Sequence, residues 1–435
     1  MARESRASRD VTGGRAEANQ LAWRRLVEAD PVLLDVQRAV DAVPGMAPNM
    51  ILTAGAPLPW RDYAGAQRTA IQYAAVHEKL ARTAAEADEK IRAGEILVGS
   101  THDHGCVGPH TGIHTASMPV FVVEGPGGAR GFCTFFEGDA TPRRLSLGFY
   151  DDEVAAQLAF VADVLAPTIG EAIRRRGGVR LSPIFREALL MGDDGHVRTA
   201  AGTLLFTRAL LPALLDLAGE RGGDVRRTLA FLETASYSFL RPWLAADKSL
   251  VESIAGVEGS SLVTVMSLNC KEFAIQVSGL GHEWFRGPHP RFEGRIGETV
   301  FDGTGALPIP EGWGWFGADS LLAECLGFGG FAGAAAFPLQ AYYLRGGTTR
   351  DMVERNLAMY DITVGEHPDY RIPFLDHRGL PIGIDLFKVL ETGRTPAING
   401  SIARMDGTGF TGGVVWPPME CFEAAAAAYR ARYGS

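Results

Sequence analysis

The spacing of apolar and polar residues in the first third of the chain predicts both helices and strands. Helical periodicity runs through 17–43, where Asp30-Pro31 breaks it into two helices, and through 63–93, ending at Gly94. Short continuous apolar runs have the length of buried strands. These strands are predicted at 50–57, 96–98 and 119–123.

The pattern changes twice further along the chain. Residues 151–257 have helical periodicity and no convincing strand, whereas Leu262–Met266 and Phe273–Val277 resemble the two arms of a hairpin. A glycine-rich part follows, with helices predicted at 319–326, 349–360, 383–391 and 418–432. We therefore expect a mixed α/β fold with a helix-rich central block and a glycine-rich α/β C-terminal part.

The length of 435 residues exceeds what one ordinary core holds, so several domains are expected. We place the boundaries where the pattern changes. The predicted units are a disordered tail at 1–14, an α/β domain with a histidine-rich loop at 15–145, a helical domain at 146–258 and a glycine-rich α/β domain at 259–435.

Composition and charge narrow the function classes. A net charge of −9 argues against nucleic acid as the partner, because phosphate backbones need a basic surface. The five cysteines are scattered without a Cys-x-x-Cys pair, as in reduced cytosolic proteins. The polar N-terminus lacks an apolar leader, and the most apolar window, 321–344, contains Glu324 and Pro338. We expect a cytoplasmic protein that binds neither membrane nor nucleic acid.

A loop between Ser100 and Pro119 carries four of the ten histidines together with Cys106. Imidazole is the commonest metal ligand and titrates near neutrality. Convergence of three imidazoles from His102, His104, His110 and His114 would form a zinc site with an open fourth position for water. The alternatives are substrate contact or acid/base chemistry without a metal, for which His102 is the candidate, and a purely structural polar loop.

A charged connector, 192–198, lies between two predicted helices. Asp193 could orient His196 for proton transfer, and Arg198 could bind a carboxylate or phosphate in a bidentate manner. The alternative is that Asp193 or Asp194 caps the helix that follows.

Glycines recur at 327–333 in a pattern that superficially suggests a nucleotide loop. The segment follows helix-like residues rather than a strand, so we expect no nucleotide cofactor. Backbone N–H groups of Gly327, Gly329 and Gly330 could instead contact an anion, or the glycines allow close helix packing. Nearer the C-terminus, Glu391 ends a predicted helix, where its charge opposes the helix dipole. Glu391 is thus a catalytic candidate, with pairing to Lys388 or Arg394 as the alternative. Asn399, in the same C-terminal block, is a binding candidate.

Several short motifs occur together in a characteristic order, and through them the chain resembles the YlbE-like family over about 17–429. The motifs are Gly55-Ala-Pro57 with Trp60, Val107-Gly-Pro109 with Ser117-Met-Pro119, Met191-Gly-Asp-Asp-Gly-His-Val-Arg198, Val277-Ser-Gly-Leu-Gly281 with Trp284-Phe285, Gly327-Phe-Gly-Gly330, Gly383-Ile-Asp385, and Glu391-Thr-Gly-Arg-Thr-Pro396 with Ile398-Asn399. A histidine at His102 is also usual there. The family is expected to have apolar or small residues where this chain has His104, His110 and His114.

The resemblance implies a subunit of oxamate carbamoyltransferase, which transfers a carbamoyl group between oxamate and phosphate in ureide catabolism. Two other subunits work with it, one of them similar to acyl-CoA synthetases. The expected substrate is a small anionic amide or ureide, and the chain is expected to form a homo-oligomer or to bind such a partner. Two other hypotheses stay open: a zinc-dependent amidohydrolase built on the extra histidines, and a non-catalytic subunit.

Overall fold

The computed structural model describes residues 11–138, 143–339 and 349–434. Its α-helices are α1 (Val11–Val27), α2 (Ala39–Ala42), α3 (Gly65–His77), α4 (Ala84–Arg92), α5 (Asp152–Phe160), α6 (Ala166–Arg175), α7 (Ser182–Leu190), α8 (Ala200–Thr234), α9 (Leu240–Ile254), α10 (Thr349–Met359), α11 (Leu386–Thr392) and α12 (Met419–Tyr433). A π-helical turn, Val161–Leu165, joins α5 to α6, and a 3-10 segment covers Ser320–Leu326.

The strands are β1 (Val32–Arg38), β2 (Met50–Thr53), β3 (Leu97–Ser100), β4 (His114–Thr115), β5 (Pro119–Glu124), β6 (Arg130–Thr134), β7 (Val179–Arg180), β8 (Val263–Leu268), β9 (Phe273–Val277), β10 (Phe285–Gly287), β11 (Arg291–Ile296), β12 (Thr299–Asp302), β13 (Trp313–Gly314), β14 (Thr363–Ile372), β15 (Arg378–Ile384), β16 (Ile398–Arg404) and β17 (Phe410–Trp416). They form sheets in the orders β6-β5-β1-β7, β3-β2-β4, β10-β9-β8, β12-β11-β17-β16-β13 and β14-β15. The predicted mixed α/β class is confirmed.

Elements with strong local patterns were predicted well. The predicted hairpin is the antiparallel pair β8–β9, in which Leu268 lies opposite Phe273. The run at 119–123 is β5, which is almost entirely buried. The predicted C-terminal helix is α12. In the predicted helix-rich block, α5 to α9 account for most residues, and β7 adds a two-residue strand at its edge.

The second helix predicted within 17–43 is wrong, because 32–38 form strand β1. This strand lies between β5 and β7, with Val36 opposite Phe121 and Leu33 opposite Val179. Pairing on both edges and burial of Leu33 outweigh the weak helical periodicity of the segment. The first helix begins at Val11, so the end of the predicted disordered tail is helical, and residues 1–10 lie outside the described residues.

The largest hydrophobic cluster contains residues from all three segments proposed as domains. It runs from Ala22 on α1 through Trp243 on α9 to Tyr429 on α12. The division into domains stays a prediction. Helix α9 is buried along most of its length, including Arg241, Asp247 and Lys248. Residues 321–336 are also buried.

Two helical stretches of the described chain are long and apolar enough to cross a membrane. They are Asp152–Arg175 and Ala200–Thr234, and 56% and 50% of their apolar windows are buried inside the protein. Core helices pass the same test of length and composition, so this is weak evidence for a span. A cytoplasmic location stays a prediction.

Candidate functional site

A cavity of about 420 Å³ lies where segments distant in sequence meet. The histidine-rich loop, the 192–198 connector, the start of α9, the segment before Ser320–Leu326 and the strands β16 and β17 all contribute to its wall. Its described lining residues are Pro109, His110, Phe136, Arg144, His196, Val197, Tyr237, Leu240, Arg241, Phe316, Gly317, Ala318, Ser320, Leu321, Asn399, Gly400, Ser401 and Phe410. The mixture of an apolar wall with a few polar groups is typical of small-molecule sites.

His196 at this cavity is paired with a buried carboxylate. Its Nδ1 lies 3.0 Å from Oε1 of Glu324, whose side chain is fully buried. Because Glu324 occupies Nδ1, Nε2 is the nitrogen left to meet a ligand. Burial acts to lower the pKa of His196, but the Glu324 and Asp194 carboxylates outweigh it and raise that pKa above its ordinary value. The arrangement is that of an oriented acid/base imidazole.

Backbone and amide groups hold this pair in place. The backbone N–H groups of Asn399 and Gly330 donate to Glu324 Oε1, at 2.9 and 3.1 Å. The Asn399 side-chain amide donates to Asp194 Oδ2 at 2.7 Å, and Asp194 Oδ1 accepts from the N–H of His196 at 3.0 Å. Asn399, a binding candidate from the sequence, lines the cavity and also connects Glu324 with the 192–198 connector.

The glycines at 327–330 serve the pair rather than the cavity. The N–H of Gly329 donates to the carbonyl of Asp194, and the N–H of Gly327 donates to the carbonyl of Glu324. Together with the bond from Gly330, these contacts use the amides that were predicted to face an anion. Gly329 has φ of +59°, and a Cβ there would overlap Glu324 Oε1. Glycine is needed for this close approach.

Positive charge at the cavity comes from Arg241 and Arg144. Arg241 is 4% exposed, and its guanidinium donates to the carbonyl and hydroxyl oxygens of Thr134 at 3.4 and 3.3 Å. Among the described residues no carboxylate lies within ion-pair distance of it. Burial lowers the pKa of Arg241 from its ordinary value, although a guanidinium stays charged at neutral pH. A buried arginine without an ion pair is well suited to bind an anion.

Aromatic rings form much of the remaining wall. The His110 ring stacks on Phe316 at 5.7 Å between centroids and lies 6.0 Å from Phe410. Phe136 lies 6.3 Å from Tyr237, and the Arg144 guanidinium lies 4.8 Å over the Phe136 ring. Burial, with Arg144 and Arg241 nearby, lowers the pKa of His110 to about 3, so this imidazole is neutral at physiological pH.

The four loop histidines do not converge, so the predicted zinc site receives no support. His104 Nδ1 donates to the carbonyl of Pro44 at 2.8 Å, and His114 Nδ1 to that of Gly112 at 2.9 Å. His102 is buried away from the cavity, with Nε2 3.3 Å from Oδ1 of Asp319. Across the described parts of the chain, no three His, Cys, Asp or Glu side chains are grouped as a metal ion requires. His110 alone of the four lines the cavity.

The other charged candidates from the sequence, Asp193, Arg198 and Glu391, lie outside the cavity lining. Asp193 accepts hydrogen bonds from the N–H groups of Ala201 and Gly202 at the start of α8. It therefore caps this helix, which was the alternative to a catalytic role. Arg198 pairs with Asp193 at 3.5 Å and donates to the carbonyl of Gly192, outside the cavity lining. Glu391 is exposed near the end of α11. Of the connector candidates, the structure thus places only His196 at the cavity.

Sequence reasoning missed Glu324, Arg241, Arg144 and Asp319. Glu324 had a signal, since it is a carboxylate within the most apolar window of the chain. Asp319 accepts from the Gly55 N–H at 2.9 Å and from the hydroxyls of Thr101 and Ser267. Burial acts to raise the pKa of Asp319, but His102 and these hydroxyls outweigh it and lower the pKa. The polar cluster around Asp319 ties the histidine-rich loop to the rest of the fold.

Comparison with known proteins identifies the family. Residues 96–306 match the family model described as oxamate carbamoyltransferase subunit AllG. The chain is 32% identical to the Escherichia coli oxamate carbamoyltransferase subunit AllG over 94% of this chain and 96% of that one. It is 36% identical to the uncharacterized Escherichia coli protein YahG over 96% of this chain and 87% of that one.

A solved structure has the same fold. It is a conserved protein of unknown function from Enterococcus faecalis V583, with a TM-score of 0.89 and 34% identity over 97% of this chain and 99% of that one. The predicted relation to an oxamate carbamoyltransferase subunit is confirmed, whereas the family name YlbE-like is not. With these similarities along nearly its whole length, the chain belongs to the AllG family of oxamate carbamoyltransferase subunits.

Proposed function

We propose that this chain carries out carbamoyl transfer to or from an amide nitrogen, with the cavity beside His196 as the reaction site. The observation that carries the proposal is the buried His196–Glu324 pair at the wall of a cavity that also contains Arg241, which has no ion pair among the described residues. Transfer of a carbamoyl group between two anionic molecules requires an acid/base group and an anion-binding group. This cavity has both.

Arg241 and Arg144 would bind the anionic end of the substrate. Hydrogen bonds to charged groups contribute roughly 1.5–3 kcal/mol each, and more where water is excluded. A carboxylate or phosphate held there would leave the adjoining amide to face His196. The neutral side chains of Ser320, Ser401 and Asn399 line the same cavity and could orient the amide.

His196 would move the proton. When a phosphate oxygen attacks the carbamoyl carbon, a C–O bond forms, the C–N bond breaks, and the departing amide nitrogen takes the proton that the Nε2–H of His196 can donate. In the opposite direction the neutral imidazole removes a proton from the amide nitrogen as it attacks the carbamoyl carbon of carbamoyl phosphate; the C–N bond forms, the C–O bond breaks, and phosphate leaves. Glu324 fixes the ring and stabilises the charged imidazolium, as carboxylates do in other acid/base pairs.

We further propose that the chain works within a multi-subunit enzyme. Its relative from Escherichia coli is named as a subunit, which supports an assembly without naming the partners. A homo-oligomer and a complex with an acyl-CoA-synthetase-like subunit are both compatible with that name. Light scattering distinguishes the two: a homo-oligomer forms from the chain alone, whereas the complex forms only when the acyl-CoA-synthetase-like subunit is co-expressed.

The experiment is an assay of oxamate-dependent carbamoyl transfer with the full chain, alone and mixed with partner subunits. His196→Asn should lower kcat by roughly a hundredfold or more, the usual effect of losing acid/base catalysis. Full activity of His196→Asn in the assembled enzyme would contradict the proposal. It would favour the second hypothesis, that this chain is a non-catalytic subunit and a partner performs the chemistry.

A further inference from the structure

Helix α8 has an apolar stripe on the side that faces away from the core. Leu204, Leu211 and Leu215 are 63%, 39% and 62% exposed. Their spacing of seven and four residues puts all three on one side of the helix, and all lie before Arg221, where the backbone leaves the helical conformation. The opposite side, with Phe206, packs into the core. Single exposed leucines are normal on a protein surface, whereas a contiguous apolar stripe is typical of an interface.

Two opposite charges lie beside this stripe. Arg208 and Asp216 are exposed, and neither makes an ion pair or a side-chain hydrogen bond with another residue that the structure describes. Residues three and four positions away are neighbours on a helix surface. At those positions Arg208 has three leucines and a proline, and Asp216 has a proline, an alanine, a glycine and Glu220. The helix itself therefore supplies no opposite charge to either side chain.

The separation of these charges fits an antiparallel pair of identical helices. In such a pair a two-fold axis passes midway between positions 208 and 216, so Arg208 of each copy lies opposite Asp216 of the other. Eight residues span about 12 Å of helix, which places each charge about 6 Å from the axis. At roughly 100° for each residue, Arg208 and Asp216 also lie to the same side of Leu215. The two-fold axis keeps that side common to both helices, so the charges can meet.

The same axis interleaves the leucines. With the axis at Pro212, Leu211 and Leu215 of the two copies alternate along the interface at steps of about 3 Å. Leu204 lies farther out, opposite Gly219 of the second copy. Glycine leaves room for it there, since a Cβ built at Gly219 has no atom within 4 Å. One placement of the axis thus pairs the charges and buries the exposed leucines together.

We infer that this face of α8 is a dimer interface, at which two copies of the chain pair antiparallel with Arg208 of each against Asp216 of the other. An interface made by one helix from each copy is at the small end of specific protein interfaces. We therefore expect a dissociation constant in roughly the micromolar range. The inference concerns how copies of the chain associate and does not depend on the reaction proposed at the cavity. It leaves the rest of the surface available to other subunits.

The first test is sedimentation velocity of the full chain from roughly 1 to 100 µM, a range that spans the expected dissociation constant. Leu215→Glu should weaken the dimer at least roughly tenfold, because it puts a carboxylate into an apolar contact. Val300→Glu, at a valine 51% exposed on β12, is the matched control and should leave the dimer unchanged. Thermal melting establishes that each variant is folded. A wild-type chain that stays monomeric over the whole range would overturn the inference.

Charge reversal tests the antiparallel register. Arg208→Asp and Asp216→Arg should each weaken the dimer roughly tenfold, since each places like charges opposite one another. The double variant with both changes should recover the wild-type dissociation constant, because the pairing is restored with its signs exchanged. Failure of the double variant to recover would overturn the inference, since only self-pairing in this register predicts rescue.

The remaining test asks whether another partner covers the stripe. A monomeric chain might still use Leu215, so its binding to vesicles of anionic phospholipid and to co-expressed subunits is compared with that of Leu215→Glu. Loss of either interaction in Leu215→Glu, with no dimer in the wild type, would assign the face to that partner and contradict the inference. A dimer that is lost in Leu215→Glu and restored by the double charge reversal would establish it.

Discussion

His196 Nδ1 lies 3.0 Å from Glu324 Oε1, although 128 residues separate the two in the chain. The connector between α7 and α8 supplies the imidazole, and the 3-10 segment Ser320–Leu326 supplies the carboxylate. Asn399 of β16 and Gly330 donate to the same carboxylate oxygen. Three separate parts of the fold thus fix one proton-transfer group at a cavity wall.

Glu324→Gln should lower kcat/KM by roughly a hundredfold and move the pH profile. Glu324 raises the pKa of His196, so its neutral replacement lets the imidazole lose its proton at lower pH. The limb of the profile that depends on protonated His196 should therefore shift to lower pH. Titration of kcat/KM against pH measures both effects. Glu391→Gln, at an exposed glutamate, is the control and should change neither the rate nor the profile.

Arg241→Gln should raise the KM for the anionic substrate by roughly ten- to a hundredfold, because it removes a charged donor from a buried site. Arg198→Lys should change KM less than twofold, since Arg198 pairs with Asp193 outside the cavity. Steady-state kinetics with thermal melting of both variants makes the comparison. A larger KM effect at Arg198 than at Arg241 would show that the connector, and not α9, binds the anion.

Gly329→Ala should destabilise the protein and reduce activity together. The added Cβ would overlap Glu324 Oε1 and approach His196 Nδ1 at 3.1 Å, so the pair must move. Gly393→Ala is the matched control, with a similar φ of +63° and no atom within 4 Å of the new Cβ. Gly393→Ala should lower the free energy of unfolding only by the backbone strain, roughly 1–2 kcal/mol. Urea unfolding of both variants should separate the atomic overlap at Gly329 from the backbone strain that both variants share. Equal losses in the free energy of unfolding would contradict the close packing of Gly329 against Glu324.

His110→Asn should make stability less sensitive to acid. Burial lowers the folded pKa of His110 to about 3, below its unfolded value of 6.5. The stability from the neutral imidazole is therefore complete above pH 6.5 and is lost as pH falls, because the unfolded chain takes up the proton first. Between pH 7.5 and 5 this loss is roughly 1–2 kcal/mol in the wild type. Asparagine tolerates the left-handed backbone but does not titrate.

The measurement is the free energy of unfolding in urea at both pH values. Other histidines contribute equally to both proteins, so the difference between variant and wild type reports His110. An unchanged pH dependence in His110→Asn would indicate that this ring is hydrated and titrates normally.

The sequence by itself determined the elements whose patterns are local. The β8–β9 hairpin, strand β5 and helix α12 have apolar periodicities that stay within a few residues, and each was predicted near its observed bounds. His196 and Asn399 were also recognised as candidates, through a charged connector and a motif. The mixed α/β class follows from the same local patterns.

Tertiary structure decided which of the candidates meet. Segment 32–38 became a strand because β5 and β7 pair with it, a contact that helical periodicity does not encode. The loop histidines lie apart because three of them have different partners. His104 donates to the carbonyl of Pro44 and His114 to that of Gly112, and His102 lies beside the Asp319 carboxylate. Glu324 and Arg241 reached the site from buried segments, where burial and pairing depend on packing across more than a hundred residues.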